Sequence, residues 1–451
     1  MTHEAVPTDP NTVLHVEALV AAHPEIAGLR NYEYFRTEAT EIGQPALKYP
    51  DLTRESVEAL KQPMEQALDQ VRRQIDDPKT EALFDAIEFR YSELFLMGMA
   101  RVMNDKSIPD AERAEARDWF KLASENLYGA PNKETFDGLA RKNVLARTEP
   151  QPGDDERTAA LRRELAERIG TIDPTEYSPF APNAETLQRM HDLIHERYDE
   201  LVDHIEDDRE YDVGAMIEVF RVMLDKLGAT EMGWRAEITA NSANLGVAAH
   251  QRLVEVGERK KALKGSVLKA RGVHEAGVHV ERSLRAERAG WAAAAYGMNG
   301  YVGFEEPLSE AFESAWNGKF ASTGEMYQVI AGLTYGFDNH APRNFPEVYD
   351  IMWRTNALKP ANLPVTDESI AKAQKLAHNQ CVRMFRGTDM LTPGINYLKD
   401  LSYFGGQQAA WNVLSKVETQ DDLDLVLSGK VDLTRPDHRR IAEAIAKDNA
   451  T

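Results

Sequence analysis

The sequence predicts a mainly helical protein carrying one small β-sheet, an α+β fold. Apolar residues recur at helical spacing along most of the chain. Short, partly alternating segments bounded by Asn and Gly are confined to the region just after Trp234. Of the 451 residues, 42% are apolar and 28% charged, a globular balance that excludes wholesale disorder.

Taken in order, Thr80–Met103 places Leu83, Phe84, Ile87, Tyr91, Leu94 and Phe95 on one helical face. Asp110–Gly129 reads as a second helix that ends at a glycine suited to a C-terminal cap. The stretch Arg147–Arg157, RTEPQPGDDER, has two prolines, a glycine and clustered charge without apolar periodicity, and it marks a linker or long loop. It divides a helical N-terminal lobe, 1–150, from a second domain, 151–451, with a helical C-terminal region. Three further helices are expected at Arg157–Ile169, Ala184–Asp207 and Tyr211–Leu227. Strands follow at Trp234–Thr239 and Gln251–Gly257, and from Lys264 the helical pattern returns and continues.

Charge and cysteine content narrow the functions. Lys plus Arg number 53 against 74 for Asp plus Glu, a net charge of -21. Such a field repels phosphate backbones and anionic lipid, so neither nucleic acid nor membrane is expected as a partner. Met1–Leu19 carries acids and prolines where a secretory leader has a basic stretch and an apolar core. The longest uncharged run, Gly290–Phe304, is about 15 residues, short of the roughly 20 that a membrane helix needs. The expectation is a cytoplasmic protein. With Cys381 the single cysteine, an intramolecular disulfide framework and Cys-rich zinc modules are excluded. Any metal site must be built from His and carboxylates.

One helix carries both. His274-Glu275-Ala276-Gly277-Val278-His279 places a Glu beside the first of two His. In zinc peptidases the imidazoles hold the metal and the carboxylate takes a proton from water. There the two His are four apart, about 40° in projection on a regular helix. Here they are five apart, or about 140°, so a regular helix points them away from each other. Either one His packs while the other is solvated, or the helix widens into a π-bulge that realigns both rings. Gly277, between them, eases such a distortion. Downstream, Glu306 and Glu310 lie four apart, with Pro307 suited to the first turn of a helix. Those acids equally suit the positive end of a helix dipole. His191 and His195 have the regular four-residue spacing, but Asp192 is a methylene shorter than the usual Glu and the segment reads as a solvated, ion-paired face. Cys381 and His378 offer only two soft ligands, and a buried thiol is the simpler reading.

With these residues in view, the chain resembles the QEGLA-motif metallopeptidases, the family that includes the microtubule-associated tyrosine carboxypeptidases. The H-E-x-x-x-H helix of that family is matched by VHEAGVHVERSL, 273–284, and its third block is similar to Glu305-Glu306-Pro307-Leu308-Ser309. Arg383–Gly406 is similar to its Phe-Arg-Gly and Lys-Asp-x-x-Tyr segments, on Phe385, Arg386, Gly387, Lys399, Asp400 and Tyr403. Pro307 and Ser309 depart from the Gly and Ala of the family. The resemblance implies a zincin-like catalytic domain over 151–451 and one Zn2+ per chain on His274, His279 and Glu306, with Glu275 as catalytic base.

The activity it implies is removal of a C-terminal residue, aromatic among the candidates, from a peptide or protein. Arg383, Arg386 and Lys399 are candidates to bind the terminal carboxylate, since a bidentate arginine is its natural partner. Tyr403, with Tyr335, Tyr397 and His340, is a candidate donor to the developing oxyanion. The strand at Trp234–Thr239 is a candidate edge for an extended peptide. The net charge disfavours the strongly acidic substrate of the best-known relatives. Two other readings fit the same residues: a zinc endopeptidase or aminopeptidase, and a catalytically inactive helical interaction protein with a vestigial site. Oligomeric state is not legible in the sequence.

Overall fold

Apolar residues repeat at helical spacing, and short polar side chains stand where helices begin. Asn132, Asp155, Asn183 and Asp212 each accept the backbone N–H three residues on. The computed structural model describes residues 29, 31–35, 41–45, 48–73, 78–240 and 245–450, so the leader reading of residues 1–19 lies outside them. In chain order the helices are α1 Asn31–Tyr34, α2 Arg54–Arg72, α3 Pro78–Asn104, α4 Asp110–Tyr128, α5 Lys133–Asn143, α6 Glu156–Ala166, α7 Ala184–Val202 and α8 Val213–Lys226. They continue with α9 Gly265–Gly272, α10 Glu281–Arg288, α11 Ala292–Tyr296, α12 Val302–Trp316, α13 Glu325–Tyr335 and α14 Phe345–Ala357. The last four are α15 Asp367–Phe385, α16 Ser402–Leu414, α17 Gln420–Val426 and α18 Pro436–Asn449. None of the described helices is long and apolar enough to cross a membrane.

The β-structure is two small sheets rather than one. β1 (Glu210–Tyr211) pairs antiparallel with β5 (Leu263–Lys264). β2 (Arg235–Thr239), β4 (Leu253–Gly257) and β3 (Leu245–Ala248) form a sheet in the order β2-β4-β3. β2 runs parallel to β4, and β3 runs antiparallel to it. β2 and β4 fall within the predicted segments. β1, β3 and β5 went unpredicted because two to four residues are too few to set up a period. Tyr211, expected to open a helix, is drawn into β1, and the helix starts two residues later behind the Asp212 cap.

Two hydrophobic cores organise these elements. One gathers residues from 67–87, 190–316 and 410–445, and the other residues from 29–64, 94–172 and 329–401. Residues before 150 contribute to both. α3 runs between them, with Leu83 and Ile87 in the first core and Leu94 and Met97 in the second. The Arg147–Arg157 stretch is tied down as a loop, because the buried Arg162 guanidinium donates to Asp154 (2.7 Å) and to the Arg147 carbonyl (2.8 Å).

Helix α12 differs from expectation in one respect that matters for the site. Pro307 does not open it: the helix starts at Val302, and Pro307 lies inside. A proline there has no N–H for the carbonyl four residues back, that of Gly303. Gly406 of α16 lies against that carbonyl, and a methyl group at Gly406 would stand 2.1 Å from Gly303 O and 2.4 Å from Pro307 Cγ. At the neighbouring Gly405 a methyl would meet nothing within 4 Å. Gly406→Ala is therefore expected to lower stability by about 1–3 kcal/mol, whereas Gly405→Ala, inside the same helix and with room for a methyl, is expected to raise it by up to about 1 kcal/mol. Urea unfolding midpoints of the two variants check the contrast.

Candidate metal centre

Between α9 and α10 the helix does not break; it widens. Val273–Val280, VHEAGVHV, is π-helical, and all eight residues are buried. In an i→i+5 turn, residues five apart share a face. The rings of His274 and His279 accordingly lie 5.1 Å apart between centroids, at 74° to one another. The Gly277 carbonyl lies 2.6 Å from the hydroxyl of Tyr198 on α7, which also reaches Glu281 Oε2 at 2.8 Å. A methyl at Gly277 would crowd the Tyr198 ring at 3.1 Å, so glycine here serves a close approach.

Helix α12 packs against this segment and supplies four carboxylates: Glu305, Glu306, Glu310 and Glu313. The adjacent acids Glu305 and Glu306 have different surroundings. Glu305 is buried, 2.8 Å from His279 Nδ1 and 2.8 Å from Lys430 Nζ, and is ion-paired to the buried Arg282. Burial opposes its charge, but Lys430, Arg282 and His279 hold its carboxyl well below the usual range. It is committed to orienting His279, as outer carboxylates do around metal-binding histidines. Glu313 stands in the matching place beside the other ring, with Oε2 3.3 Å from His274 Nδ1. Both of these atoms are buried without an aligned hydrogen-bond partner.

The structure gathers part of the ligand set expected from sequence. His274, Glu275 and His279 each offer an atom within 4.8 Å of the others, and so do His274, Glu310 and Glu313. Glu306 falls outside both groups, yet its charge is coupled to the same histidines. Burial works against it, and His279, Lys399 and His274 together hold its carboxyl below the usual range. Burial likewise disfavours charge on His274, but Glu313, Glu275, Glu306 and Glu310 outweigh it and push the ring up to about 9. A cluster of carboxylates around paired imidazoles, each with its Nδ1 against a glutamate, fits a divalent cation with N and O ligands such as zinc.

Of the other residues singled out from sequence, Tyr403 lies close enough to Glu306 for that charge, followed by burial, to raise its hydroxyl well above the usual tyrosine range. The charge of Lys399 reaches Glu306, Glu93 and Asp400. Arg383 and Arg386 both pair with the buried Asp400, at 2.6 and 3.3 Å, and Arg383 also stacks over the Tyr327 and Tyr403 rings. The remaining oxyanion candidates are engaged or placed elsewhere. Tyr335 donates to Glu125, Tyr397 is buried and bonded to Asn31, and His340 is exposed at a turn. His191 and His195 are structural: their ring nitrogens meet the Ala315 and Trp316 carbonyls at 2.9 and 3.1 Å, capping the C-terminus of α12. Cys381 is buried, which pushes its thiol up, and His378 accepts from the Gly43 N–H.

Tyr198, Glu313 and Lys430 were not singled out from sequence. Glu313 follows the helical spacing of Glu306 and Glu310, which was the available signal; Lys430 lies 125 residues from Glu305 and gave none. No family profile, curated protein or solved structure matches this chain.

Two stability measurements follow. Tyr198→Phe removes the donor to the π-segment carbonyl and is expected to cost about 1–3 kcal/mol. Glu305→Gln leaves Arg282 and Lys430 buried without their counter-charge, a loss of about 3–5 kcal/mol by denaturant unfolding.

Proposed function

We propose that this chain is a zinc metallopeptidase of carboxypeptidase type, which removes a C-terminal residue from a peptide or protein. One observation carries the reading. The π turn brings His274 and His279 together, and each Nδ1 faces a carboxylate of α12, leaving the other ring nitrogen of each for a metal. In this reading Glu306 joins the two histidines as third ligand, because Glu305 is already committed to Arg282, Lys430 and His279. Zinc, when bound, supplies a Lewis acid that makes water a nucleophile near neutral pH and polarises a carbonyl.

The chain's own groups do the rest. Glu275, adjoining both histidines, accepts the proton of the attacking water and passes it to the leaving amine. Tyr403, kept protonated by Glu306 and by burial, is a hydrogen-bond donor for the developing oxyanion. Lys399, Arg383 and Arg386 gather positive charge beside it, suited to a terminal carboxylate. Asp400 holds the two guanidiniums in place.

Protein purified without added chelator is expected to hold about one zinc per chain, lost in His274→Ala and His279→Ala. Glu306→Gln loses the metal and Glu310→Gln retains it; the reverse result transfers the third ligand to Glu310. Glu275→Gln keeps zinc while hydrolysis of free-carboxylate peptides falls by roughly 100-fold or more. Peptides with amidated C-termini resist cleavage; equal cleavage of both kinds points instead to an endopeptidase.

A further inference from the structure

A cavity of about 520 Å³ lies beside the N-terminal turn of α12 rather than over the histidines. Its volume is in the ~300–1,000 Å³ range of ligand sites. Gly303 lines it and precedes Glu306 by three residues, so the two lie on one face of the helix. Leu401, Ser402 and Phe404 also line it and flank Tyr403. The cavity is therefore lined by helical neighbours of Glu306 and Tyr403, although neither of those two residues lines it.

Its chemistry differs from that of its surroundings. Five aromatic rings contribute to the wall, Tyr177 and Phe404 among them, together with side-chain amides such as Asn132 and Gln328. Asp432 is the single charged liner, and no cation faces the space. Aromatic faces take apolar side chains, and amides pair with peptide groups. A carboxylate entering here would lose its water without gaining a counter-charge. Gly303 and Gly405 keep the wall open: a methyl group at either would meet nothing within 4 Å.

We propose that this cavity is a substrate subsite that holds an uncharged segment of the peptide chain and excludes acidic ones. The inference rests on the metallopeptidase reading, since it is that reading which makes a peptide the occupant. It assigns neutral sequences to a cavity whose lining holds no cation.

The test is calorimetric binding in a Glu275→Gln background, expected to slow turnover by about 100-fold or more. The probes are acetyl-Ser-Phe-Gln-Leu-Gly-Phe and a counterpart with Glu in place of its Phe-Gln-Leu core, with zinc content measured on the same samples. The neutral probe is expected to bind, the acidic one about tenfold or more weaker. Gly405→Trp, which fills open space, is expected to weaken the neutral probe about tenfold with zinc content unchanged. Gly303→Leu repeats the test from α12 should Gly405→Trp not fold. Neutral binding that is absent, or that is equal in the filled and open proteins, overturns the subsite, as does equal affinity for the acidic probe. Zinc retained, with hydrolysis intact in the chain that keeps Glu275 and no effect of filling, sinks the subsite alone. Neutral binding lost on filling, in a protein that holds no zinc, sinks the peptidase reading and leaves the cavity as a peptide site.

Discussion

Two histidines five residues apart on one helix can share a face only where the helix widens, and the surroundings of Val273–Val280 are arranged around that widened turn. A π turn sacrifices regular backbone geometry, so it persists where neighbouring elements hold it. Here α7 contributes Tyr198, whose hydroxyl meets the Gly277 carbonyl and whose ring fits because residue 277 has no side chain. β3, an edge strand of its sheet, and α12 pack on the segment as well. All eight residues of the turn are buried, so the contacts that stabilise it are the same ones that fix the direction of both imidazoles.

Helix α12 is the counterpart to that turn, and it is anchored at both ends. Its N-terminal end is fixed by the close approach of Gly406 to Gly303 and Pro307, and its C-terminal carbonyls are capped by His191 and His195. Between those anchors, successive residues point about 100° apart. That rotation lets Glu305 turn into a buried cluster with Arg282 and Lys430 while Glu306 couples to His274, His279, Lys399 and Tyr403. The carboxylates together make an environment that favours positive charge, seen in the upward displacement of His274. Around Glu306 stand Lys399 and Tyr403, and the cavity beside α12 is lined mainly by aromatic, amide and glycine residues.

Much of this was legible in the sequence where a period was long enough to read. The helix expected at Thr80–Met103 runs Pro78–Asn104, and that expected at Asp110–Gly129 ends at Tyr128 with Gly129 as its positive-φ cap. The π turn was legible only as a condition, because five-residue spacing is compatible with divergent histidines in a regular helix as well. Which reading holds is decided by Tyr198 and α12, contacts that no local pattern encodes. The regular spacing of His191 and His195 pointed to ligands more directly, yet both rings face helix-end carbonyls; spacing reports what can share a face, not what occupies it. Pro307 misled for a related reason. Proline suits a first turn, but here its missing N–H leaves room for α16 to touch α12. The short strands, and the reach from Glu305 to Lys430, depend on tertiary pairing alone.

The central claim is that the widened turn holds a metal through both of its histidines, and zinc-edge X-ray absorption of the zinc-loaded chain addresses it directly. The account predicts a first shell of nitrogen and oxygen at about 2.0–2.2 Å containing two imidazoles and no sulfur, with one imidazole fewer when His279 is replaced by Ala. A shell with no imidazole, with sulfur, or unchanged by the loss of His279 would contradict it.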